Sequence, residues 1–194
     1  NTRLYTGFET SFWLRLPRGA TALGGWTREQ TKTVTCDTSN PNQFIYCDQT
    51  GELKQELGNV PSIPFTNEFK LAGSYPLPGR VRVSLSLLSY MGPQLAVNWA
   101  PGASVFPNGQ RTQPVTVPLI APGTKYGDRW NQVDIGAKKI LRVGPVEVEG
   151  QVDIFNAFNS AAVLTQLQTF GPTLDRPSSV LQGRLLRLSS TVKF

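Results

Sequence analysis

Val146-Glu-Val-Glu-Gly-Gln-Val-Asp-Ile-Phe-Asn156 is the stretch whose reading decides the fold. Val146, Val148, Val152 and Ile154 share one parity; Glu147, Glu149, Gln151 and Asp153 hold the other. A helix would scatter these residues around its circumference, whereas a strand sorts them onto two faces. The pattern predicts a strand over 146–156 with one apolar face and one charged face. Working outward, residues 129–143 set Val133, Ile135, Ala137 and Leu141 against Gln132, Asp134, Lys138 and Arg142, and Gly144-Pro145 is the only break between the two runs. At the chain end, residues 183–194 set Leu186, Leu188, Val192 and Phe194 against Arg187, Ser189, Thr191 and Lys193.

The same alternation recurs over 3–16 (Leu4, Phe8, Phe12, Leu14 and Leu16 against Arg3, Glu9, Trp13 and Arg15) and over 80–91 (Val81, Val83, Leu85 and Leu87 against Arg80, Arg82, Ser84 and Ser86). It is clear over 63–75 (Ile63, Phe65, Phe69, Leu71 and Tyr75) and weaker over 20–34 (Ala20, Ala22, Gly24 and Trp26). Seven strands follow. Three connections are tight and rich in Pro or Gly: 17–19, 76–79 and 144–145. The other three, 35–62, 92–128 and 157–182, are long. Strict alternation of short and long places all tight turns at one end of an up-and-down antiparallel sheet. Transmembrane β-barrels have this asymmetry. Strands of 11–15 residues also exceed the usual five or six and suffice for a bilayer crossing, which takes about 9–11. A soluble seven-strand sandwich is the competing reading; strand length, loop asymmetry and charges in mid-strand argue against it.

Composition agrees. Charged residues are 16% of the chain against about 25% in ordinary soluble domains, and 18 Gly and 15 Pro mark a turn-rich β protein. With no His and two Cys, neither a usual zinc site nor a Ser-His-Asp triad or Cys-His dyad can be built. No apolar run is long enough for a transmembrane helix. The net charge of +6 is spread singly, with no basic run longer than Lys138-Lys139, so nucleic acid is not an expected partner; lipopolysaccharide phosphates are. Asn1 is followed by no signal segment, so the chain reads as a processed protein or a section of a longer one. Cys36 and Cys47 enclose a turn-rich segment and are expected to form a disulfide in an oxidising compartment.

Seven is an odd number, while bacterial single-chain barrels have even counts. A seven-stranded wall has two open edges that lipid cannot satisfy. The expectation is therefore all of 1–194 as one section of a transmembrane barrel, with the strands at 3–16 and 183–194 paired to something else.

The C-terminal half carries a resemblance. Tyr126-Gly-Asp-Arg-Trp-Asn-Gln-Val-Asp-Ile-Gly-Ala-Lys-Lys139, Val152-Asp-Ile-Phe-Asn-Ala-Phe-Asn159 and the closing Gly183-Arg-Leu-Leu-Arg-Leu-Ser-Ser-Thr-Val-Lys-Phe194 resemble the final strands of TonB-dependent outer-membrane receptors, especially Oar-like members with a carboxypeptidase-regulatory-like domain. The loop segments Phe106-Pro-Asn-Gly and Val117-Pro-Leu-Ile-Ala-Pro-Gly-Thr are similar to one of their extracellular loops. The resemblance is good over 100–194 and only architectural before that. It implies a bacterial outer-membrane location, a 22-stranded barrel with a plug that lies outside this chain, and transport without catalysis. It also implies that Leu186, Leu188, Val192 and the terminal Phe194 form the closing strand and the signal read by the outer-membrane assembly machinery. The alternative is structural: a self-assembling subunit of a ring, tube or extracellular cell-surface filament, its edges closed by copies of itself.

The remaining candidates read blandly. Glu147, Glu149 and Asp153 could serve acid–base chemistry, but alternation with Val makes them a lumen wall, salt-bridged to Lys138 and Arg142. Asp37, Asn40, Asn42 and Asp48 match no calcium-loop spacing, and Gly24-Gly25 and Gly171-Pro172 match no phosphate loop. No metal and no cofactor is expected. An interfacial aromatic girdle fits Trp13, Trp26, Trp99, Trp130, Tyr75, Tyr90 and Tyr126, and for several of them simple packing is an equal alternative.

Overall fold

The computed structural model describes residues 1–36, 45–50, 54–55, 58–59, 63–105 and 116–194. Its main element is one antiparallel sheet of seven strands in chain order. They are β1 (Thr2–Leu16), β2 (Ala20–Val34), β3 (Thr66–Leu77), β4 (Val81–Tyr90), β5 (Trp130–Val143), β6 (Val146–Phe155) and β7 (Leu185–Lys193). The protein is all-β, with the expected meander. Three strands are shorter than expected, at 10, 10 and 9 residues for β4, β6 and β7. The third begins at Thr66 rather than Ile63, because Ile63 turns into the loops, where it is buried.

Each tight turn has its own backbone solution. Gly144 takes φ 63° at the first position of the two-residue β5–β6 connection, the geometry that matches the strands' right-handed twist. The other two turns place Arg18 and Gly19, and Gly79 and Arg80, at positive φ. All three lie at one end, so β1 and β7 both run from the long-loop end towards the tight-turn end.

The register is unbroken across all six ladders, so one row of partners crosses the whole sheet: Leu14 with Ala22, Ala22 with Gly73, Gly73 with Leu85, Leu85 with Ile135, Ile135 with Ile154 and Ile154 with Leu186. Partners share a face. Leu4, Phe8, Phe12, Val81, Leu85, Val148, Val152, Leu188 and Val192 consequently all lie on one face, as the alternation required.

The buried core is elsewhere. Among the described residues, apart from Ala20, Gly136 and Asp153, the buried ones belong to the long loops or to the strand end that opens one, Cys47, Asp48, Ile63, Leu95, Val97, Asn156 and Ala162 among them. Those loops carry three short ladders that the sequence pattern does not predict: Lys54–Gln55 with Gly58–Asn59, Asn98–Trp99 with Val117–Pro118, and Val163–Gln166 with Pro177–Val180. Among the described residues, none of them packs broadly on the large sheet.

Candidate functional site

The two faces of the sheet differ in kind. On the apolar face, large side chains stay exposed along all of β1 and β7 and through the middle of the sheet; Leu188 is 71% and Phe8 58% exposed. Of the large hydrophobic side chains this exposed on the seven strands, only Tyr5, Trp13, Leu23 and Leu185 lie on the other face. Phe12 covers Gly24, where a Cβ would meet its ring at 2.8 Å. Trp26 sits between Phe8, edge-on at 5.8 Å, and Phe69, stacked at 6.0 Å.

On the polar face lie all the carboxylates of the seven strands: Glu9, Glu29, Glu68, Asp134, Glu147, Glu149 and Asp153. The expected pairs form. Lys138 Nζ meets Glu149 Oε1 at 3.0 Å, and Arg142 Nε donates to Glu147 Oε2 at 3.1 Å. Asp153 is the hub. Its carboxylate accepts from Gln151 Nε2 at 2.8 Å and from Arg187 Nε and Nη2 at 3.0 and 2.8 Å. Gly136 makes room for it, since a Cβ there would stand 2.7 Å from Asp153 Oδ1 and 2.5 Å from Ser84 Oγ. Glu147, Glu149 and Asp153 are thus held by cations on neighbouring strands, and Asp153 also by an amide two residues away on its own strand, an arrangement that stabilises a polar wall.

The three strand motifs that carried the resemblance interlock. Asp134 Oδ1 accepts the Asn156 backbone N–H at 2.8 Å. Asn156, buried and at φ 50°, donates from Nδ2 to the carbonyls of Ser160 and Gln182 and accepts the Ser160 N–H, each at 2.8 Å. Asn159, at φ 55°, accepts the Arg184 N–H at 2.9 Å. Asn tolerates this left-handed backbone better than most residues. The two asparagines therefore close β6 and guide the chain into β7.

At the long-loop end the loops bind one another. Cys36 and Cys47 form the expected disulfide, Cα atoms 5.0 Å apart, and the Thr35 N–H donates to the Cys47 carbonyl. Ile63 packs on Gly123, linking the first loop to the second. Asn98 bonds Gln168 and Phe170 through its backbone, and Lys125 Nζ meets Asp175 Oδ2 at 2.6 Å, linking the second to the third. The Tyr126 hydroxyl is buried in this cap with no hydrogen-bond partner among the described residues, and burial raises its pKa above the usual phenol value.

The aromatic girdle needs correction. Trp26 and Tyr75 lie on the apolar face, but Trp13, Tyr90 and Trp130 have the opposite parity and lie on the polar one. Tyr90 and Trp130 stack at 4.7 Å there, and Arg15 covers Trp13. Trp99 and Tyr126 belong to the loops. Asp37, Asn40, Asn42 and the Phe106-Pro-Asn-Gly segment lie outside the described residues. The Asp48 carboxylate is engaged by the Thr50 N–H and hydroxyl, and no cluster that could hold a metal occurs among the described residues. Leu186, Leu188 and Val192 lie on the apolar face of the edge strand β7, and Phe194, fully exposed, stands one residue beyond it.

Compared with known proteins, the chain matches no family model, no curated protein and no solved structure.

Proposed function

We propose that this chain is a section of the wall of a transmembrane β-barrel in the bacterial outer membrane, of the kind found in Oar-like TonB-dependent receptors, and that it does no chemistry of its own. The observation that carries the reading is the sorting of the sheet. Seven strands place their carboxylates on one face and a continuous apolar surface on the other, and no second layer among the described residues covers that surface. A soluble sandwich buries its apolar face against a second sheet about 10 Å away. Lipid is the partner that fits an uncovered one, and water in a lumen fits the salt-bridged side.

Strand direction favours this reading over a self-assembling ring or filament. β1 and β7 run the same way, so copies joined edge to edge with a common orientation would meet as parallel pairs. An antiparallel barrel is completed only by adding an odd number of strands, the first and last opposed to β7 and β1. Seven strands plus an odd number also gives the even total that bacterial barrels have.

The test is accessibility in lipid. Single cysteines at Leu85 and Val152, and at Ser86 and Gln151, are spin-labelled in the full-length protein reconstituted in vesicles; the native cysteines are bonded and silent. Labels at 85 and 152 should be relaxed by oxygen and shielded from a water-soluble nickel chelate, and those at 86 and 151 the reverse. Equal exposure of both sets to the chelate would overturn the reading.

A further inference from the structure

The apolar face carries no carboxylate on any strand, but it does carry cations, and all of them except Lys139, which lies near the tight-turn end, gather at one margin. Arg28 and Lys32 on β2 and Arg129 just before β5 occupy its long-loop margin. Among the described residues none of the three has an ion pair, whereas on the polar face Lys70, Lys138, Arg142, Arg187 and Lys193 do and Arg3, Arg15 and Arg82 do not. Arg28 and Arg129 converge on Asn67. Arg28 is its cross-strand partner, and Arg129 Nη2 donates to its carbonyl at 2.7 Å while Nη1 donates to Ser89 Oγ at 2.8 Å. Arg28 lies over the Phe65 ring at 4.9 Å, so the guanidinium is held at the rim rather than free to swing.

Below this rim runs a groove of about 520 Å³, lined by Trp26, Phe69, Leu71 and Leu87, with Ser89 and Asn131 at its upper end. Guanidinium groups over hydroxyl and amide groups, over an apolar channel, repeat the layering of a lipid: charged head, polar linkage, acyl chain. Resting on the membrane reading above, we infer that this margin binds a phosphate-bearing lipid of the leaflet on the long-loop side. Arg28 and Arg129 hold the phosphate, Ser89 and Asn131 face the linkage region, and an acyl chain lies along Trp26, Phe69, Leu71 and Leu87. Arginine suits the task because its planar fork bonds phosphate oxygens two at a time. With no acidic residue on this face to compete, a phosphate is the complementary ion.

The experiment titrates the full-length protein, in neutral detergent, with bisphosphorylated lipid A, its dephosphorylated counterpart, phosphatidylglycerol and inorganic phosphate, and counts retained lipid by native mass spectrometry. Lipid A should bind saturably and its dephosphorylated form at least about tenfold more weakly. Arg28→Gln and Arg129→Gln should each weaken it about fivefold. Arg82→Gln, which removes one charge from the opposite face, should leave it unchanged. Equal binding of phosphatidylglycerol supports the site and widens its lipid range. Equal binding of the dephosphorylated lipid, equal weakening by all three variants, or displacement by inorganic phosphate at matching concentration overturns it. The spin-label pattern separates the failures: shielded labels at 85 and 152 with no selective lipid leave the barrel standing and remove only this site.

Discussion

The sheet and the loop cap of this molecule place their apolar residues in opposite ways. The cap has the interior of a water-soluble protein: Cys47, Ile63, Leu95, Val97 and Ala162 are buried, Asn156 and Asp48 are buried with their hydrogen bonds made, and a disulfide closes one loop. The sheet has no such interior. Its apolar residues are as regular as those of any core, yet they stay exposed, and its buried polar hub, Asp153, faces the opposite way. Hydrophobic stabilisation scales with apolar area removed from water. The cap can obtain it within the chain, while the sheet obtains it only from something outside.

The sharpest way to break that comparison is to place one charge on each face of the same strand. Leu85 lies mid-strand in β4, opposite Gly73 and Ile135 on the apolar face; Ser86 lies beside it, opposite Ala72 and Asp134. In lipid, Leu85→Arg should cost up to about 4 kcal/mol, the cost of an arginine near the bilayer midplane, whereas Ser86→Arg gains a carboxylate neighbour and should be close to neutral. Urea unfolding from vesicles measures both. Similar small effects at both positions would mean that the apolar face meets water.

Reducing Cys36–Cys47 tests the other half. Closing a loop of this length is worth about 3 kcal/mol of chain entropy. If cap and sheet are separate in their energetics, that loss falls on the cap. Limited proteolysis should begin within 35–62 after reduction while the unfolding midpoint of the sheet in lipid stays put. A falling midpoint would show that the cap holds the sheet together.

Asn156 joins the two regions, and its variant should have an intermediate effect. Asn156→Gly keeps the positive φ and deletes three side-chain hydrogen bonds, one of which reaches Gln182 near the start of β7. A loss of about 2 kcal/mol is expected from leaving buried backbone groups unpartnered. Amide exchange should rise at Ser160 and at the first residues of β7 and stay unchanged in β1 and β2. Exchange rising throughout the sheet would make Asn156 part of a common core.

These particulars also mark what could be read from sequence. Strand positions, the tight turns and the faces were legible because period-2 alternation and Gly-Pro punctuation are local, and because register transmits one strand's parity to its neighbours. The carboxylate pairing with Lys138 and Arg142 followed from the same hairpin. The girdle failed for an instructive reason: nearness to a strand end says nothing about face, and the parity of Trp13, Tyr90 and Trp130 already assigned them to the polar side. Of the loop cap only the disulfide was legible, because many of its other contacts are backbone bonds such as Asn98 to Phe170, which any side chain permits, and the rest join residues far apart in sequence. Asn156 stood inside a recognised motif, but its structural task, a left-handed cap bonded to three backbone groups, appears only once β6 and β7 are paired.

The smallest effect is expected where the cap looks most strongly tied. Lys125 and Asp175 meet at 2.6 Å, but both side chains are well exposed, at 38% and 46%. Exposed pairs of this kind contribute about 1 kcal/mol or less, and salt screens them. The second and third loops are also joined by the Asn98 N–H to the Gln168 carbonyl and the Phe170 N–H to the Asn98 carbonyl, each at 2.8 Å, and by the Ala96 N–H to Gln168 Oε1 at 3.0 Å. If these bonds and the buried Leu95 and Val97 hold the cap, Lys125→Ala should raise exchange at the Asn98 and Phe170 amides by no more than about fivefold, the equivalent of about 1 kcal/mol. Raising wild-type protein to 1 M salt should reproduce most of that change, and adding salt to the variant should do little more. A hundredfold rise in exchange in the variant would mean that surface charge rather than a buried interior holds the loops, and the cap would then share the sheet's dependence on what surrounds it.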